Sequence, residues 1–115
     1  MIRRVRLNDG IAFCVETAHL PWERVPGLCA NDLVLEPSLY TLLSQRFKIK
    51  MGQGSSTISM STAMVGEADL LKLKKDSTCL VLRALSKDTQ DKPIEYLTSI
   101  KHPQLVVFET PFTAP

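Results

Sequence analysis

The segment Ile2-Arg3-Arg4-Val5-Arg6-Leu7, the turn Asn8-Asp9-Gly10 and the return from Ile11 to His19 constrain the fold more than any other part of the chain. Alternating apolar and charged residues on either side of a glycine-containing turn read as a β-hairpin. A three-residue loop with positive φ at Gly10 predicts Leu7 opposite Ile11, Val5 opposite Phe13 and Arg3 opposite Val15. A two-residue Asp9-Gly10 loop would move the register by one and set Phe13 beside Arg6, mixing apolar and charged side chains on both faces. The three-residue loop is therefore expected. It supplies one apolar face for a core and a second face where Arg4 and Arg6 stand opposite Cys14 and Ala12, with Glu16 further along. Two guanidiniums and a carboxylate converging over small residues can hold a small polar anion. The alternative is a solvated sheet face carrying cross-strand charges.

A chain of 115 residues with 44% hydrophobic content is one domain with enough apolar surface for a core. Its 14 basic and 12 acidic residues are spread evenly, with no basic stripe or tail, which argues against a nucleic-acid or acidic-membrane surface. The densest basic cluster, Lys72, Lys74 and Lys75, suits a helix C-terminus. Cys14, Cys29 and Cys79 are odd in number and widely spaced, as expected of reduced thiols in the cytoplasm. No apolar run reaches membrane-spanning length, and Met1 leads into charged strand sequence rather than a signal peptide. A cytoplasmic location without a membrane partner is expected. The chain opens inside a strand and ends just after an apolar run, which suggests a domain of a longer polypeptide.

Pro21, Pro26 and Gly27 predict a surface loop from Leu20 to Asn31, with Trp22 as its packing anchor. Pro37 to Phe47 reads as a helix, because Leu39, Leu42, Leu43 and Phe47 recur on one stripe and Pro37 suits a first turn. Ile49 to Met64 reads as a long strand with a bend or bulge at Gly52-Gln53-Gly54. Gly66 to Leu73 is a short helix, with acids early and lysines late. Thr78 to Asp88, Pro93 to His102 and Leu105 to Glu109 read as strands, the first two joined by a turn at Thr89-Gln90-Asp91-Lys92. Hairpins at both ends and no run of strand-helix-strand units indicate the α+β class, an antiparallel sheet covered on one side by short helices.

Chemistry is sparse. His19 and His102 lack neighbouring ligands at metal-binding spacing, so no metal site is expected, and no phosphate-binding or dinucleotide fingerprint points to a cofactor. Cys14 shares a face with Arg4 and Arg6, which would lower its pKa, but no positioned base accompanies it and no catalytic residue is assigned. Ser38 falls in the first turn of the amphipathic helix, where it can cap the helix while free N–H groups attract an anion. Glu95, Leu97, Ser99 and Lys101 share one face of a strand by period two. Glu95 could accept hydroxyl donors and Lys101 could add positive charge, or the pair could be an exposed rim.

Arg4-Val5-Arg6-x-x-Asp9-Gly10, Glu16, His19-Leu20-Pro21, Pro26-Gly27-Leu28, Ser38-Leu39-Tyr40 at a helix start, Ala68-x-x-Leu71 and Lys92-Pro93-Ile94-Glu95-Tyr96 together resemble the UTRA domain. This is the effector-binding domain of GntR-type, HutC-like transcription repressors. The resemblance runs over nearly the whole chain, in order. It implies a chorismate-lyase-like fold, a central antiparallel sheet flanked by short helices. It also implies a homodimer and a pocket for a small anionic metabolite, a sugar phosphate or small acid. It further implies that residues 1–115 are the effector-binding domain alone, and that operator DNA is read only by an N-terminal winged helix-turn-helix domain absent here. By the same resemblance, Arg4, Arg6, Ser38 and Tyr40 surround a phosphate, while Glu16 and Glu95 face sugar hydroxyls. Two features depart from the family pattern. Lys101 stands where a tyrosine is common, and His102-Pro103-Gln104 replaces an Arg-Gly-Asp-like turn.

The expected function is therefore effector sensing and dimerisation in a bacterial repressor, by binding rather than turnover. The candidate ligand-binding residues are Arg4, Arg6, Glu16, Ser38, Tyr40, Glu95 and Lys101. Two alternatives stand beside it. One is a chorismate-lyase-like enzyme in which Arg4 and Arg6 hold a carboxylated substrate and Glu16 acts as acid or base. The other is a dimerisation module without ligand.

Overall fold

The hairpin forms, with a tighter turn than expected. In the structure, a computed structural model describing residues 1–109 and 111, strand β1 (Ile2–Asn8) turns directly into β2 (Ile11–His19). Asp9 and Gly10 both adopt positive φ, 50° and 78°, the left-handed pair that two-residue hairpin loops require. The twist of such a loop matches the strands, which is why it prevails over the three-residue loop. The register expected from sequence is thus corrected: Asn8 pairs Ile11, Leu7 pairs Ala12, Arg6 pairs Cys14, Val5 pairs Val15 and Arg4 pairs Glu16. An irregularity between Arg6 and Leu7 leaves Phe13 as an extra residue, and this bulge adds a second one-residue shift, which together with the first restores the face each side chain takes. Arg4, Arg6, Cys14 and Glu16 consequently share a face after all.

The remaining elements are a 3-10 turn at Trp22–Arg24, α1 (Asp32–Leu35), α2 (Leu39–Phe47), β3 (Met51–Thr62), α3 (Val65–Leu70), β4 (Thr78–Asp88) and β5 (Pro93–Lys101). The strands form one antiparallel sheet in the order β1-β2-β5-β4-β3. The glycines expected to bend β3 do so: its register with β4 shifts between Met51 and Gly54. A Cβ at Gly52 would lie 2.5 Å from the Asp88 carbonyl oxygen, so the approach of the two backbones demands glycine there. Leu105 to Glu109 does not form the expected closing strand. Pro103 lacks a donor, the Gln104 N–H donates to His102 Nδ1 at 3.1 Å, and the Leu105 N–H donates to the His102 carbonyl, so the chain turns out of the sheet. Trp22, expected to anchor its loop, is exposed, and Leu20, Val25 and Leu28 are buried in its place.

Helices lie on both faces, which corrects the one-sided cover. On the first face, α1 and α2 close over Ile2, Ala18, Leu97 and Ile94 to make the main core, with Leu33, Leu39 and Leu43 pointing inward. Burying Leu43 completely is worth about 1.5–3 kcal/mol. This is also the face that carries Arg4, Arg6 and Glu16, so α2 overhangs the charged face and leaves it half-exposed along a cleft. On the second face, Ala68 of α3 and the following Leu71 are buried near Val15, Val81 and Cys79, and Arg3 bridges to Glu67 at 3.6 Å. The distal half of β3 carries no such cover: Ile58 and Met60 are 51% and 70% exposed. The radius of gyration, 15.6 Å, exceeds the roughly 13 Å typical of a compact chain this long, as a projecting sheet arm requires.

Candidate functional site

Ser38 sets one wall of the site. Its backbone is extended and its hydroxyl accepts the Thr41 N–H at 3.2 Å, so it caps α2. The preceding Pro37 carbonyl accepts from Arg4 Nη1 at 2.8 Å, which draws the helix N-terminus onto β1. The cap leaves the N–H groups of Leu39 and Tyr40 without intrahelical acceptors beside an open cleft of about 450 Å³. Arg4, Arg6, Glu16, Ser38, Tyr40 and Glu95 all line this cleft, together with Pro37, Leu39 and Leu97.

The floor comes from cross-strand register. Arg4 and Glu16 are direct partners on β1 and β2, and their side chains pair at 3.6 Å. Glu95 arrives from β5 by a second irregularity: Ser86 pairs Glu95 but Lys87 pairs Pro93, so Ile94 is left over, and both Ile94 and Glu95 are buried. Ile94 fills the core while Glu95 Oε1 accepts the Tyr40 hydroxyl at 2.9 Å. The same hydroxyl lies 3.2 Å from Ser86 Oγ. Burial pushes the Glu95 carboxyl above the usual range and Glu16 adds to this, whereas the Tyr40 hydrogen bond and Arg4 oppose it. Burial likewise raises the Tyr40 phenol.

Six of the seven residues singled out from the sequence therefore meet in one cleft. The seventh, Lys101, shares the face but lies beyond the cleft lining, with Nζ 2.9 Å from Ser99 Oγ and 3.6 Å from Cys14 Sγ. Cys14 is fully buried, and burial raises its pKa despite the opposing Ser99 and Lys101. The expected lowering by the arginines is thus reversed, and the thiol is held in its unreactive form. Sequence reasoning missed the Pro37 carbonyl and the Ser86 hydroxyl. Period-two reading of Thr78 to Asp88 beside Glu95 could have found Ser86. The carbonyl leaves no trace in side-chain pattern. Among the described residues no group of three His, Cys, Asp or Glu side chains is arranged to hold a metal ion. A second hollow, about 590 Å³, lies at the hairpin tip between Leu7, Ile11, Phe13 and Leu105 to Val107, with only Asn8 and Asp9 to orient a polar ligand. No helix among the described residues is long and apolar enough to cross a membrane.

A family model described as the UTRA domain matches residues 1–105. The transcriptional repressor NagR of Bacillus subtilis (strain 168) is 24% identical over 99 residues, which cover 86% of this chain and 40% of that protein. The chain thus spans less than half the length of this relative. The effector domain of PhnF from Mycobacterium smegmatis superposes with a TM-score of 0.83 at 28% identity, covering 97% of this chain and 68% of that one. A GntR-family transcriptional regulator from Enterococcus faecalis V583 superposes with a TM-score of 0.84 at 24% identity, covering 96% and 78%.

Proposed function

The chain belongs to the UTRA domain family, and from that premise we propose that it is the effector-sensing and dimerisation domain of a bacterial transcription repressor. Its effector is a small anionic metabolite, a sugar phosphate or small acid. The operator is read by an N-terminal winged helix-turn-helix domain outside residues 1–115, and the protein works in the cytoplasm. The relatives described as a transcriptional repressor and a transcriptional regulator, and the one described as an effector domain, support this reading.

One observation carries it: Arg4, Arg6 and the Ser38-capped start of α2 converge on one cleft whose other side holds Tyr40, Glu16 and Glu95. Forked guanidinium donors and uncapped helix N–H groups suit an oxyanion, while the half-buried Glu16 and the buried Glu95 suit hydroxyl donors. Binding without turnover fits the state of the acids. Glu16 is committed to Arg4 and Glu95 to Tyr40, and neither activates a nucleophile. The bare β3–β4 half of the sheet, with Ile58 and Met60 outward, is the surface a second copy would cover. Ligand then acts by preferring one arrangement of the dimer.

A thermal-shift titration tests the reading. Sugar phosphates, phosphonates and small carboxylates form the panel, with inorganic phosphate and chorismate as controls. A saturable rise in Tm with one compound, abolished in the Arg4→Ala/Arg6→Ala double variant, is expected. Conversion of chorismate to product would replace sensing by catalysis, and a panel without any saturable shift would remove the effector role.

A further inference from the structure

Ser86 does not line the cleft, yet its Oγ lies 3.2 Å from the Tyr40 hydroxyl, which itself donates to Glu95 Oε1 at 2.9 Å. Register brings the three together. Ser86 and Glu95 are direct partners on β4 and β5, immediately before the irregularity that leaves Ile94 over. Side chains directly opposite in a sheet stand about 4.5–5.5 Å apart at Cβ, so one group set above the pair can touch both. Tyr40, in the first turn of α2, carries its hydroxyl to that place.

The number of protons sets the direction of the bonds. A phenol has one proton and an ionised carboxylate has none. The Tyr40 proton is spent on Glu95, so the bond between Tyr40 and Ser86 uses the Ser86 proton, with the phenolic oxygen as acceptor. We propose that Ser86 is a positioning residue of this site: its hydroxyl donates to Tyr40 and so holds the Tyr40 proton on Glu95. A donor on the phenolic oxygen polarises the hydroxyl and strengthens the bond that Tyr40 gives. Burial raises the pKa of the Tyr40 phenol and the Ser86 bond opposes this, as a donor to that oxygen does. Resting on the reading of the cleft as an effector site, the relay also sets specificity. With the Tyr40 proton committed, Glu95 meets the ligand as an acceptor, so this end of the cleft takes hydroxyl groups and refuses a second anion.

The test is a carbon-13 NMR titration of the Glu95 carboxyl in the ligand-free 115-residue chain. Burial foremost raises the pKa of this carboxyl; the Tyr40 bond from α2 lowers it, Glu16 on β2 raises it and Arg4 on β1 lowers it. Arg6 lines the same cleft. Ser86→Ala weakens the bond from Tyr40, so the Glu95 midpoint is expected to move to higher pH. Ser86→Thr keeps the hydroxyl in a residue suited to a strand and returns the midpoint to its original value. In Tyr40→Phe the midpoint is already raised, and adding Ser86→Ala moves it no further. An unmoved midpoint in Ser86→Ala, or a raised one in Ser86→Thr, overturns the relay. A further rise in the double variant overturns it too, because Ser86 then acts through the strand and not through Tyr40. These outcomes are separate from the effector panel: a failed titration leaves the sensor reading standing, and a failed panel leaves the Ser86 relay standing.

Discussion

The two halves of the sheet are built from similar strands and end in opposite conditions. In the half formed by β1, β2 and β5, both faces are covered, and polar side chains there form specific pairs: Arg4 with Glu16, Tyr40 with Glu95, Lys101 with Ser99. In the β3–β4 arm, the outer strand is exposed at nearly every position, and Ser and Thr fill the places between Ile58 and Met60. The difference shows where specificity resides. A covered half can afford precise polar chemistry, because low dielectric strengthens each pairing and packing holds it still. A bare half with few charges and exposed apolar residues has no ligand geometry of its own, and it suits broad contact with another sheet.

Breaking the covered half should have the largest effect. Leu43 is fully enclosed at the centre of the main core, so Leu43→Ala should cost about 2–5 kcal/mol in urea unfolding. A loss below 1 kcal/mol would mean that α2 is not the lid of this core. Glu95 then sharpens the comparison through pH. Its folded-state pKa is raised, chiefly by burial, so the ionised form is disfavoured in the folded chain. The resulting penalty is absent below the unfolded-state value, grows as pH rises, and is complete above the folded-state value. Glu95→Gln should therefore raise the Tm of the ligand-free protein at pH 7.5 and leave it nearly unchanged near pH 3, while weakening effector binding. A Tm that falls at neutral pH would show that the carboxylate stabilises the empty site. The smallest effect on stability is expected on the arm. Met60→Lys should change the unfolding free energy of the monomer by no more than about 0.5 kcal/mol, yet shift the chain from dimer to monomer in sedimentation velocity. A dimer that survives Met60→Lys would place the interface elsewhere.

Much of the site was legible because strands and helices are periodic. Period two put Arg4, Arg6 and Glu16 on one face, and 3.6-residue periodicity identified the buried stripe of α2 that brings Ser38 and Tyr40 to that face. Lys101 was legible in its face but not in its distance from the cleft. The closing strand at Leu105 to Glu109 was misread because β-favouring composition cannot register a turn made by Pro103 and the His102 ring. The α1 helix, one turn of Asp32 to Leu35, escaped because four residues show no period; it is held from outside, by Arg46 bridging to Asp32 at 3.0 Å.

By itself, the order of residues determined which groups could share a face and which segments could bury a stripe, since these follow from local backbone geometry alone. It determined the family too, through short motifs kept in sequence along the chain. The tertiary structure decided the register of the first hairpin, where a tight Asp9-Gly10 turn and the extra residue Phe13 compensate each other. It decided that α2 would overhang the charged face and make it one side of a cleft, and that Glu95 would be buried against Tyr40. Those outcomes depend on contacts between residues 33 to 55 positions apart, Arg4 with the Pro37 carbonyl and Tyr40 with Glu95. Bonds across such distances form only when the core beneath them has closed.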